Sequence, residues 1–246
     1  MKIGQKLVFV TSSMILGVAA VTSHQEIALA SSLSGEVLAP DAEVNGYSLT
    51  QIADEIAFFQ DQLSVSVDPS LLPNTPFQLL TVASFDYNVT SDTFFYVPIV
   101  SVTDSPPVLG IFPTNSSQNV NYWFAPDQLG GSDFAIVVDG HSTPIGAEYL
   151  AGPIFKPLPQ GGTGISILGA FLSPLAPGEH TVKIQGKFNG ELIGGPCQPE
   201  ACFPFEISYK VNSQAVPEPG TILGMIFVAG LAWITKQKLR TSKQFM

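Results

Sequence analysis

The seventeen residues 219–235 carry no charge, and Lys236, Lys238, Arg240 and Lys243 follow directly. A helix of that length rises roughly 25 Å, short but sufficient to cross the hydrocarbon of a bilayer. Lys236 can reach back to the interface along its butyl stem and Trp233 can sit at headgroup depth. The basic cluster of Lys236, Lys238 and Arg240 predicts a cytoplasmic C-terminus. At the other end Lys2 and Lys6 precede the uncharged run LVFVTSSMILGVAAV, residues 7–21. Fifteen residues fall short of the ~20 that a comfortable span needs. Ala28-Leu29-Ala30 ahead of Ser31 has the small-x-small spacing that a signal peptidase accepts, so residues 1–30 read as a cleaved signal peptide. The competing reading is an uncleaved anchor helix. Either way the bulk of the chain is expected outside the cytoplasm, with Sec-type export and signal peptidase as its first partners and the inner membrane as its first anchor.

Of the 10 Lys and Arg residues, the six at positions 2, 6, 236, 238, 240 and 243 lie in these end segments. Residues 31–216 keep four lysines against eighteen carboxylates, a net of −14. A surface that acidic repels phosphate backbones and excludes nucleic acid as a partner. Its 186 residues suffice for one sizeable core, so a single exported domain, 31–215, is expected.

Pro217, Glu218 and Pro219 stand just ahead of the apolar helix. The prolines hold that stretch extended and deny it a helical start, so a protease can reach the backbone just outside the bilayer. The order Pro-Glu-Pro, short apolar helix and basic tail, paired with an N-terminal signal peptide, resembles the PEP-CTERM sorting signal of bacterial exported proteins. The resemblance covers about the last thirty residues, so 216–246 is read as a sorting segment. It implies processing near the motif by an exosortase, a membrane transpeptidase often found in bacteria that make exopolysaccharide. An ordinary single-pass anchor with a Pro-rich stalk is the alternative.

Within the domain, Ser48-Leu49-Thr50-Gln51 has the form of a capping box, and Leu49, Ile52, Ile56, Phe59 and Leu63 follow at spacings of three and four. This predicts one amphipathic helix over about 48–63, laid on a sheet. Beyond Leu63 the period shortens to two. Phe205, Ile207, Tyr209 and Val211 alternate with polar residues, as do Val182 and Ile184. Further strands are expected over 77–87, 93–102, 134–138 and 165–171, with a short piece around Leu192. Asp139-Gly140 and Asn189-Gly190 carry type I′ hairpin signals. With 20 Pro and 22 Gly scattered between short strands and no βα alternation, the expected architecture is mainly β: an antiparallel two-layer β-sandwich with one N-terminal helix. Residues 105–120 and 146–164 read as long irregular surface segments. The helix, the Phe-rich strand ending Pro98-Ile99, the VDG turn, the PGEH strand and the Tyr-bearing last strand are similar in order to a group of bacterial exported proteins. That likeness implies a shape rather than a chemistry.

Cys197 and Cys202 are the only cysteines, and an exported chain meets an oxidising compartment. A disulfide between them would close a six-residue loop and constrain the unfolded chain by about 2 kcal/mol. The loop aspartates, among them Asp104 and Asp133, include no Asp-x-Asp-x-Asp calcium loop. Two histidines remain after signal removal, His141 and His180, and neither lies in a Gly-x-Ser-x-Gly or His-Glu-x-x-His setting. Tyr122-Trp123-Phe124 could offer a ring platform to a polysaccharide, with Tyr122 and Trp123 as its surface, or could fill the core from a short helix ending at Pro126.

No catalytic residue, metal site or cofactor is read from these residues. The chain is expected to be a non-enzymatic protein of the envelope or extracellular matrix. It would first be membrane-anchored facing the periplasm and then released to the cell surface. The alternatives are a carbohydrate-binding module for exopolysaccharide, and a secreted hydrolase that would need His141 or His180 in a cleft with a carboxylate.

Overall fold

The computed structural model of the chain describes residues 34–62, 72–81, 86–193 and 203–216. The signal peptide, the sorting segment with Pro217, Glu218 and Pro219, and the Cys197–Cys202 loop lie outside the described residues.

The first helix, α1 (Leu49–Gln62), forms where the capping box predicts it. The Ser48 N–H donates to Gln51 Oε1 over 2.8 Å, and the Gln51 N–H donates back to Ser48 Oγ over 3.3 Å. Two N–H groups that a helix start leaves orphaned are thereby satisfied. Leu49, Ile52, Ile56 and Phe59 are buried along one face. Just ahead of α1, Val44 and Tyr47 bridge across Asn45-Gly46, whose φ values of 52° and 83° make a tight turn.

Among the described residues nine strands form two sheets that share one hydrophobic core. The first sheet has the order β1 (Gln78–Leu79), β3 (Phe95–Thr103), β7 (Gly164–Leu172), β6 (Leu150–Phe155). The second has the order β2 (Asp86–Thr90), β9 (Phe203–Gln214), β8 (Gly178–Phe188), β4 (Gly131–Val138), β5 (His141–Pro144). All nine residues of β7 are buried, which is why Gly-Ile-Ser-Ile-Leu-Gly-Ala-Phe-Leu shows almost no polar alternation. The α1 helix packs against β6, β7 and β3. A Cβ at Gly169 in β7 would lie 2.5 Å from the Tyr96 hydroxyl, so the ring of Tyr96 can lie across the strand only because no side chain stands there.

The architecture is therefore mainly β and sandwich-like, but not purely antiparallel. The pairs β1–β3 and β2–β9 run parallel. The segment expected as one strand over 77–87 is two short strands in opposite sheets. Because β2 carries the chain back along the other sheet before β3 begins, β1 and β3 point the same way.

Four local expectations are corrected. Residues 105–120 include the start of a second helix, α2 (Ser116–Phe124), capped by Asn115 Oδ1, which accepts the Gln118 N–H over 3.0 Å. Residues 146–164 contain a 3-10 turn (Ala147–Tyr149) and edge strand β6. Asp139-Gly140 makes the tight β4–β5 turn, with φ of 48° and 89°, whereas Asn189-Gly190 has no positive φ and makes no two-residue hairpin. There the glycine serves close approach: the Gly190 N–H donates to Leu129 O over 2.9 Å, and a Cβ would fall 1.9 Å from Gln128 O. Leu192 lies in a 3-10 turn (Glu191–Ile193) rather than a strand. Strands β8 and β9 still pair antiparallel from Gly178↔Ser213 to Phe188↔Phe203.

Both outer limits of the described domain meet at one end of the sandwich. Ser34 Oγ accepts the Ala176 N–H, the Gly35 N–H donates to Pro174 O, and Ser213 Oγ donates to Leu175 O. The end of β3 at Thr103, α2 and the Glu191–Ile193 turn lie at the opposite end.

Candidate functional site

Helix α2 turns the Tyr122-Trp123 pair inward. Trp123 is fully buried, its indole N–H donating to Ser166 Oγ over 2.6 Å and its ring lying beside Phe134 and Phe188. Tyr122 is 2% exposed, and its hydroxyl donates to Leu109 O over 2.6 Å. Burial pushes the Tyr122 phenol upward from its ordinary value. Of the two readings open in the sequence, Tyr122 and Trp123 therefore follow the second: they fill the core from a short helix and offer no ring platform at the surface. A strand would have shown alternate residues outward, but consecutive residues on the inner side of a helix end both reach the core.

The carboxylate–histidine pair does exist, between residues far apart in sequence. Strand β4 ends where β8 begins, with Val138 opposite Val182, which sets the Asp139 turn against His180. Asp139 Oδ2 lies 2.6 Å from His180 Nδ1, and Ala176 O lies 2.7 Å from His180 Nε2. Asp139 Oδ1 also accepts the Thr181 N–H over 2.8 Å. Partial burial, the largest influence, pushes the Asp139 carboxyl up. The His180 hydrogen bond, the Thr181 N–H and positive charge at His180 and His141 together outweigh it and hold the group below the usual carboxylate range.

Each ring nitrogen of His180 faces an acceptor, the Asp139 carboxylate at Nδ1 and the Ala176 carbonyl at Nε2. Among the described residues no serine or threonine hydroxyl hydrogen-bonds to either histidine. The pair ties the Asp139 turn to the 176–180 segment beside a groove also bordered by Ser34, Glu36 and His141.

The loop carboxylates are engaged in the same structural way. Asp104 accepts the N–H groups of Thr163 and Gly164 over 2.6 and 2.7 Å. Asp61, 4% exposed at the end of α1, accepts the Ser105 hydroxyl over 2.6 Å and the Gln160 N–H over 2.8 Å. Lys156, Lys183 and Lys187 pair with Asp54, Glu206 and Asp133. Among the described residues no three His, Cys, Asp or Glu side chains are arranged to hold a metal ion.

One surface has a different character. A groove of about 450 Å³ runs beside α2, and its lining includes Ile111, Phe112, Ser117, Gln118, Asn121 and Gln128, none of them charged. No motif marks it in the sequence. The available signal is the absence of any charged residue over 105–126.

The fold and this surface define a mainly β domain of two packed mixed sheets with an uncharged groove at one end. Comparison with family models, curated proteins and solved structures finds no match to this chain.

Proposed function

We propose that the chain is a non-enzymatic protein of the bacterial envelope or extracellular matrix. It is exported by its N-terminal signal, held by residues 219–235 and processed at Pro217-Glu218-Pro219 by an exosortase-like transpeptidase. The observation that carries this reading is the placement of Ser34 and Ser213 at one end of the sandwich, through their bonds to the 174–176 segment. A domain whose signal-peptide junction and stalk leave together can stand on a membrane with its other end turned outward. Among the described residues no helix is long and apolar enough to cross a membrane, so the reading assigns the anchor to 219–235 on the sequence pattern alone.

The non-enzymatic part is supported by His180, whose two nitrogens are both committed to acceptors. Of the two alternative functions, the hydrolase finds no serine or threonine hydroxyl bonded to that imidazole among the described residues. The carbohydrate-binding module loses Tyr122 and Trp123 as its surface and would need another one.

Protease protection tests the topology. In spheroplasts carrying a tag after Met246 and a second tag in the Gly140 turn, added protease should remove the turn tag and spare the C-terminal one. Protection of both tags would place the domain in the cytoplasm and end the proposal.

A further inference from the structure

We infer that the groove beside α2 binds a neutral oligosaccharide. This extends the proposed function without depending on it, because binding belongs to the purified chain and processing to the cell.

Residues 31–216 carry a net of −14, yet 105–126 contain no charged residue at all. An acidic ligand would meet the field of the whole domain, and a cationic one would find no carboxylate in the lining. An uncharged ligand meets neither obstacle.

The polar groups of the groove point to hydroxyls. The side chains of Asn121, Gln128 and Ser117 have no hydrogen-bond partner among the described residues. Gln118 Oε1 is held by the Thr114 N–H and hydroxyl over 3.0 and 2.8 Å, which leaves its Nε2 to solvent. A carboxamide presents a donor and an acceptor side by side, and neighbouring sugar hydroxyls present the complementary set. Two such amides on α2, Gln118 and Asn121, with Gln128 also in the lining, are suited to a polyhydroxylated chain.

The apolar side of the groove answers the other half of a pyranose, its C–H face. Ile111 is 89% exposed, and the half-buried Phe112 ring packs edge-on to Tyr122 at 6.0 Å and to Phe155 at 6.4 Å. Large apolar groups left open beside unpaired amides form the mixed lining of a ligand site, and the volume falls within the range that such sites occupy.

The groove is also built in advance. Asn115 caps α2, Gln118 clamps Thr114, and the Tyr122 hydroxyl pins the 106–113 loop at Leu109 O. Little ordering remains to be done when a ligand arrives. It lies at the end of the sandwich opposite Ser34 and Ser213.

Calorimetry on the full-length chain, purified in a zwitterionic detergent without a sugar headgroup, tests the assignment. Probes are cellohexaose, laminarihexaose, isomaltohexaose and mannohexaose, with oligogalacturonate as the acidic counterpart. At least one neutral hexaose should bind with an affinity indifferent to salt. Asn121→Ala at an exposed position and Gln128→Ala at a half-buried one should each weaken it by about tenfold with circular dichroism unchanged. Binding of no neutral hexaose, undiminished binding by both variants, or binding of oligogalacturonate alone would overturn the inference. So would concentration-dependent self-association abolished by Ile111→Asp without glycan binding, which would assign the surface to a second copy of the chain.

Discussion

The indole N–H of Trp123 on α2 donates to Ser166 Oγ on β7 over 2.6 Å, with both side chains buried. This single bond fastens the helix carrying one wall of the groove to the central strand of a sheet. Ser166→Ala leaves the N–H unpaired away from water, at a cost of about 1–3 kcal/mol. Urea unfolding should show the midpoint falling with the slope unchanged. In a Trp233→Phe background, acrylamide should quench Trp123 far less than a free indole.

Asn119 lies one turn before Trp123 and is 1% exposed, and neither its Oδ1 nor its Nδ2 has a hydrogen-bond partner among the described residues. Removing an unsatisfied amide and filling the same volume with carbon is neutral or favourable. Asn119→Leu should therefore keep or raise the urea midpoint. A clear loss would show that the amide is satisfied in solution.

Asp61→Ala strips acceptors from both the Ser105 hydroxyl and the Gln160 N–H, which the carboxylate gathers at the end of α1. The expected loss is about 1–3 kcal/mol, because buried donors are left unmade. Asp61→Asn should lose less, since its remaining oxygen still accepts one of them. Equal midpoints for Asp61→Ala and the parent would contradict this placement.

Acid unfolding reads the Asp139–His180 pair. The folded Asp139 carboxyl lies below its ordinary value near 3.8, so its contribution is present above that pH. It is lost as pH falls through the lower folded value. Asp139→Asn keeps a residue that tolerates the positive φ of 48° at this turn. The parent should be the more stable at neutral pH, with the two chains converging in strong acid. A difference between them independent of pH would assign the effect to the turn rather than to the charge.

Features fixed by a few neighbouring residues were legible in the sequence. The reciprocal bonds of Ser48 and Gln51 and the positive φ values at Asp139-Gly140 follow from local chemistry. Asn189-Gly190 carries the same signal as Asp139-Gly140, but the backbone of 128–130 comes to meet it, and the glycine is used for that contact instead. The split of 77–87 between sheets and the parallel pairing of β1 with β3 depend on which strands become neighbours, and alternation of side chains carries no such information. The candidate site was obscured for the same reason. His180 meets Asp139 only through the β4–β8 register, and the groove is assembled from a loop, a helix and Gln128, where an aromatic triplet drew attention to rings that the helix buries.

Export followed by processing is tested most directly by the intact mass of the protein isolated from its own cells. A mature species beginning at Ser31 and ending near Pro217-Glu218-Pro219 is predicted. A species that retains Met1, or one that still ends at Met246, would contradict it.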